Sequence, residues 1–210
     1  MTVVKICGVT RVEDARMVAE AGADWIGLNF WPQSKRHVDA PVAADIARVA
    51  RQVNPNIVVV GLFVNHTAVG AVKLTRLVGC DYAQLHGDES PEECAAIASF
   101  VPVIKAVAMR SADDVARLAR YPCDTFVVDT PSAGYGGSGQ SFDWRLARGA
   151  VATGKRIVLA GGLSPDNVAD AIADVAPYGV DVASGVESAP GIKDAALVAA
   201  FIAAAKGEQT

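Results

Sequence analysis

Eight short apolar runs alternating with alanine-rich helical segments predict an α/β chain closed into a (β/α)8 TIM barrel. The runs are nearly continuous in Val, Ile, Leu and Ala, the pattern of strands covered by helices on both faces; a half-wet antiparallel sheet would alternate. No glycine-rich dinucleotide fingerprint follows the first run, which disfavours the open doubly wound sheet, the alternative for the same alternation. At 210 residues the chain gives roughly 26 per unit, compact beside the ~250 of a typical barrel. It fits a single domain, 1–210.

The first strand is expected at 3–7, "VVKIC", running into the acid- and base-patterned helix "RVEDARMVAE". Glycine in "EAGAD" ends that helix in a left-handed turn before the second strand, "WIGLNF" (25–30). The third is "IVVVGLFV" (57–64), and "LVGCD" repeats the glycine stop before the fourth, "YAQLH" (82–86). "VIKAVAM" (103–109) and "TFVVDT" (125–130) flank the helical "DDVARLARY". The last two strands, "RIVLAGG" (156–162) and "VDVASG" (180–185), flank "DNVADAIADV". Ser164, Pro165 and Asn167 make a sensible start for that helix.

Composition narrows the function classes. Hydrophobic residues make up 51% and charged residues 20%, as in a compact globular chain. The net charge is −4 and no Lys/Arg cluster forms a basic face, so nucleic acid is not an expected partner, while a single anionic ligand stays open. No apolar run is long enough to span a bilayer or form a secretory signal. Cys7, Cys80, Cys94 and Cys123 form no CxxC pair and have no ligand-spaced histidine, so neither zinc nor disulfides are expected. Free thiols in the cytoplasm are the economical reading. Monomer versus homodimer stays undecided.

Barrel active sites lie where the strands end. Here those ends carry Cys7, Asn29, Asn65, His86, Met109, Asp129, Gly161–Gly162 and Ser184–Gly185. A carboxylate at the tip of "TFVVD" is costly unless hydrogen bonds or a task hold it there, so Asp129 is either a loop anchor or a general acid-base group. Cys7 alone reads as a small buried hydrophobe; facing Asp129 across the mouth, it becomes a candidate base. A modest lowering of its pKa would make that base efficient. The glycine-rich ends "LAGGLSPDNV" and "VASGVESAPGIKD" suit close approach of backbone N–H groups to a phosphate.

In "WPQSKRHV" (31–38), Arg36 is either a bidentate clamp on a substrate carboxylate or an ordinary surface arginine. His86 is either a packed imidazole or a pocket contact. The long glycine-rich stretch 131–144 is expected to fold over a ligand. Lys5 and Lys105 lie within strands and need paired or solvated positions. Asp81, Asp124 and Asp181 are expected before their strands, on the opposite face, in structural roles. An aldolase would need a lysine at the mouth, and Lys105 sits mid-strand. A non-catalytic phosphate-binding barrel remains a rival.

The segments "KICGVT" (5–10), "SKRHV" (34–38), "VGLFVN" (60–65), "QLHGDE" (84–89), "VVDT" (127–130), "GYGGSGQSFDW" (134–144), "LAGGLSPDNV" (159–168) and "GVDVASGVES" (179–188) run in order through essentially the whole chain. Together they resemble the phosphoribosylanthranilate isomerase (TrpF) family. The resemblance implies a cofactor-free Amadori rearrangement of a small phosphorylated aminosugar in tryptophan biosynthesis. Cys7 matches the family's general base, Asp129 its general acid, and Arg36 its contact to the anthranilate carboxylate. His86, Gly161, Gly162, Ser184 and Gly185 are the further expected substrate-binding positions. The sequence departs slightly from the family: "VV" replaces the more usual leucines before Asp129, and "WPQSKR" keeps the serine and arginine of the common pattern.

Overall fold

The computed structural model of the chain describes residues 2–129 and 144–207. Eight parallel strands close on themselves in sequential order. They are β1 (Val3–Cys7), β2 (Trp25–Asn29), β3 (Val58–Phe63), β4 (Tyr82–Leu85), β5 (Val103–Ala108), β6 (Thr125–Asp129), β7 (Arg156–Leu159) and β8 (Gly179–Val182). Helices α1 (Val12–Glu20), α2 (Ala40–Val53), α3 (Ala68–Val78), α4 (Pro91–Ala98), α5 (Ala112–Arg117), α6 (Trp144–Val151), α7 (Val168–Val175) and α8 (Ala195–Lys206) follow them in turn. The expected fold is therefore the observed one. Glycine stops appear where the sequence placed them, with Gly22 at φ 88° and Gly79 at φ 75°.

Strand parity sorts the side chains. Trp25, Val60, Ile104, Ala106, Val127 and Val158 pack in the barrel lumen, while their strand neighbours pack outward in the larger core beneath the helices. Trp25 stacks on Tyr82 with ring centroids 5.7 Å apart. Lys105, between two lumen residues, must therefore face outward. There its ammonium pairs with Glu89 at 3.0 Å and donates to the carbonyls of Leu85 and Gly87. That clamp lies behind the wall, so no strand-borne amine of the aldolase type comes from Lys105.

Asp81 and Asp124 precede β4 and β6 as expected. Asp81 accepts from Val59 N at 2.7 Å and from Arg51 at 2.8 Å, and Asp124 pairs with Lys155 at 2.8 Å. Asp181 does not follow them. It lies inside β8, directly in register with Lys5 of β1, and its carboxylate takes the Lys5 ammonium at 2.9 Å in the barrel interior. The reason is register: Asp181 lies within the strand rather than before it, and its pairing with Lys5 puts it on the inward parity. Beyond β8 the chain makes a three-residue 3-10 turn, Ser184–Val186, and then an unforeseen hairpin, β9 (Glu187–Ala189) with β10 (Ile192–Lys193).

Candidate active site

The upper lumen opens at the C-terminal ends of the strands into a cavity of about 220 Å³. Cys7, Arg36, His86, Asp129, Gly161, Gly162, Ser184 and Gly185 all line it. Cys7 and Asp129 thus share one mouth, on β1 and β6. The glycine-rich segment expected over the ligand falls almost wholly in 130–143, outside the described residues.

Cys7 owes its place to a glycine. Its register partner is Gly27, and a Cβ built there would sit 2.7 Å from the Cys7 sulfur. Leu62, Val64, Trp31 and Ala183 pack around the thiol. That burial pushes the Cys7 thiol up from its ordinary value, against the opposing pull of Lys5 and Lys193. The modest lowering that would make Cys7 an efficient base is therefore not the balance here, because desolvation outweighs the neighbouring cations.

Arg36 comes from the loop after β2. Its stem crosses Gly8, where a Cβ would approach Arg36 Cδ to 2.4 Å at a left-handed φ of 72°. Its Nε and Nη2 donate to the two oxygens of Glu187 at 2.8 and 2.7 Å. Lys193, buried beneath, donates to the same carboxylate at 2.8 Å and to Ala183 O at 3.1 Å. Burial works to raise Glu187, but Arg36 and Lys193 outweigh it and hold the carboxyl below the ordinary range.

His86 follows the last residue of β4, its backbone N–H held by Phe63 O at 2.8 Å. The Gln84 amide nitrogen lies 3.0 Å from His86 Nδ1 and donates to it, so the neutral ring carries its proton on Nε2. Burial, with Lys5 and Lys105 adding to it, pushes the imidazole down to about 3. Nε2 faces Asp129 Oδ2 at 3.8 Å, beyond hydrogen-bond length, and a neutral ring makes no ion pair there.

The last two strand ends meet each other. Gly161 and Gly162 turn with φ of 90° and 66°. A Cβ on Gly185 would fall 2.0 Å from Leu163 O, so the two glycine loops abut backbone to backbone. Asn167 braces the first loop, accepting from Ser164 N and donating to Gly162 O, each at 2.9 Å. It thus holds the loop from the N-cap position of α7 without capping the helix.

The sequence reading missed Lys5, Asp181, Glu187 and Lys193 as parts of this site. Only the placing of Lys5 inside a strand hinted at a buried partner.

A family model described as N-(5'phosphoribosyl)anthranilate (PRA) isomerase matches residues 4–204. The N-(5'-phosphoribosyl)anthranilate isomerase of Citrifermentans bemidjiense is 49% identical over 207 residues, covering 98% of each chain. The crystal structure of phosphoribosyl anthranilate isomerase from Thermotoga maritima superposes with a TM-score of 0.90 at 40% identity, covering 99% of this chain and 100% of that one. A structure of phosphoribosyl anthranilate isomerase in complex with reduced 1-(o-carboxyphenylamino)-1-deoxyribulose 5-phosphate gives 0.87 at 38% identity, with coverage of 99% and 100%. With a family match over nearly its full length and relatives of this closeness, the chain belongs to the N-(5'-phosphoribosyl)anthranilate isomerase family of tryptophan-biosynthetic enzymes.

Proposed function

We propose that the chain converts N-(5-phospho-β-D-ribosyl)anthranilate to 1-(2-carboxyphenylamino)-1-deoxy-D-ribulose 5-phosphate, with Asp129 as general acid and Cys7 as general base. Protonated Asp129 donates to the ribose ring oxygen as the C1–O bond breaks, and the anilino nitrogen lone pair forms the iminium. Cys7 thiolate then removes the C2 proton, giving an enolamine that tautomerises to the ketone. C1 is reduced and C2 oxidised within one molecule, so the electrons balance without an external redox partner. Separate acid and base groups suit two separate proton transfers.

The observation that carries this reading is that Cys7 and Asp129 line one cavity together with Arg36 and both glycine loops. Arg36 suits the anthranilate carboxylate, since a guanidinium meets a carboxylate through paired N–H groups. The Gly161–Gly162 and Ser184–Gly185 backbones suit the phosphate, and a grip there orients the ribose between acid and base. His86, neutral, adds a polar contact without a competing charge. The solved complex with the reduced product analogue supports a phosphorylated small-molecule substrate. No described helix is long and apolar enough to cross a membrane, and the four free cysteines support a reducing, cytoplasmic setting.

Anthranilate-fluorescence turnover of the phosphoribosyl substrate tests this, with Cys7→Ala and Asp129→Ala beside the parent chain. Each variant is expected to lose about 10²–10⁴-fold in kcat. Undiminished turnover in either removes that residue from its role.

A further inference from the structure

We infer that Lys5 is the resident counter-cation of the Cys7 thiolate, a positioning residue that acts through the base rather than on the substrate. The inference rests on the reading of Cys7 as base. Lys5 and Cys7 are two apart on β1, so both side chains point into the lumen. The lysine is 0% exposed, where an ammonium persists only if paired. Asp181, its register partner on β8, takes one donor at 2.9 Å. The Cys7 thiol lies next along the same inward face, and the Lys5 charge works to draw it toward ionisation. Asp181 keeps the cation charged: burial pulls the ammonium down, but Asp181 and Cys7 outweigh it and hold it above its ordinary value.

Charged groups reach Cys7 from four segments of the fold. Lys5 faces it from its own strand, Asp181 from β8, Lys193 from β10 and Arg36 from the loop after β2. Glu187 binds both of the last two cations. Each of the three cations favours the ionised form of the thiol. Neutral His86 and the Asp129 carboxyl group line the same cavity. Arg36 and Lys193 share the Glu187 carboxylate of the hairpin, whereas Lys5 is held strand to strand by Asp181 of β8. It is therefore the one whose ammonium is aimed by the barrel wall itself.

The test reads Cys7 ionisation directly, as the pH dependence of iodoacetamide alkylation located by mass spectrometry in the unliganded protein. Burial pushes Cys80 and Cys94 up to about 12 and Cys123 up to about 11, keeping their ionisation away from neutral pH. In Lys5→Met the alkylation midpoint of Cys7 is expected to move upward by about one pH unit or more, with kcat/KM following it. A folded Lys5→Met protein whose profile superimposes on the parent's overturns the inference. A second measurement needs no core substitution at Lys5. The ¹⁵Nζ resonance of Lys5 in the parent chain is expected to step at the Cys7 midpoint, and to lose that step in Cys7→Ser. A resonance that does not respond also overturns it. If Cys7→Ala keeps full turnover while these shifts appear, the base assignment fails and the Lys5–thiolate pairing stands.

Discussion

Arg36 and Glu187 are locked side to side across the barrel mouth, with Nε at 2.8 Å and Nη2 at 2.7 Å from the two oxygens of one carboxylate. That pairing fixes the guanidinium plane of a residue that lines the cavity. Glu187→Gln keeps the shape but weakens the brace and unbalances the Lys193 ammonium beneath it. We expect KM for the phosphoribosyl substrate to rise about tenfold, or ~1.4 kcal/mol of binding, with kcat changed far less. Steady-state kinetics decide it; an unaltered KM means that Arg36 needs no brace.

Gly185 tests the pairing of the two glycine loops. A methyl group there would stand 2.0 Å from the Leu163 carbonyl oxygen, and a backbone atom cannot swing aside as a side chain does. Gly185→Ala is expected to part the loops and raise KM at least about tenfold, because a phosphate held by two turns loses one of them. Competition by inorganic phosphate should weaken in parallel. Full phosphate affinity in the variant would assign the grip elsewhere.

Strand ends were legible in the sequence because parallel strands buried on both faces announce themselves as continuous apolar runs. Cys7, His86 and Asp129 followed from that alone. Asp181 did not, because a strand of four residues in "GVDVASG" has no periodicity to set its phase. A one-residue change in phase decides which face a side chain meets. Its pairing with Lys5 joins positions 176 residues apart, so only the closure of the barrel brings them together. Glu187 and Lys193 sit on strands of three and two residues, too short for any pattern to show.

His86 makes stability depend on acid. Its folded pKa of about 3 lies below the ~6.5 of an unfolded histidine. Between those values the unfolded chain binds the extra proton, so the contribution is full above about pH 6.5 and drains away as pH falls toward 3. His86→Asn should flatten that part of the profile, by up to ~1.4 kcal/mol per pH unit. Urea unfolding at pH 7.5 and pH 5 measures it. Equal losses in the two proteins would mean that the histidine is not the titrating group.

Gly27 sets the room for Cys7, and its replacement separates catalytic geometry from stability. A Cβ at Gly27 would lie 2.7 Å from the Cys7 sulfur and 3.1 Å from its Cα. The thiol must then turn away or β1 and β2 must part, and either moves the base by a fraction of an ångström to an ångström. Displacement on that scale costs about 10²-fold in rate, while Arg36 and the glycine loops keep their places. Gly27→Ala is thus expected to lower kcat about 10²-fold with KM little changed. Gly154→Ala is the control: its φ of 80° strains any side chain, yet the space around it is open. It should cost about 1 kcal/mol of stability and leave turnover intact. Thermal unfolding beside steady-state kinetics distinguishes the two, and a Gly27→Ala enzyme with normal kcat would mean that the Cys7 position tolerates crowding.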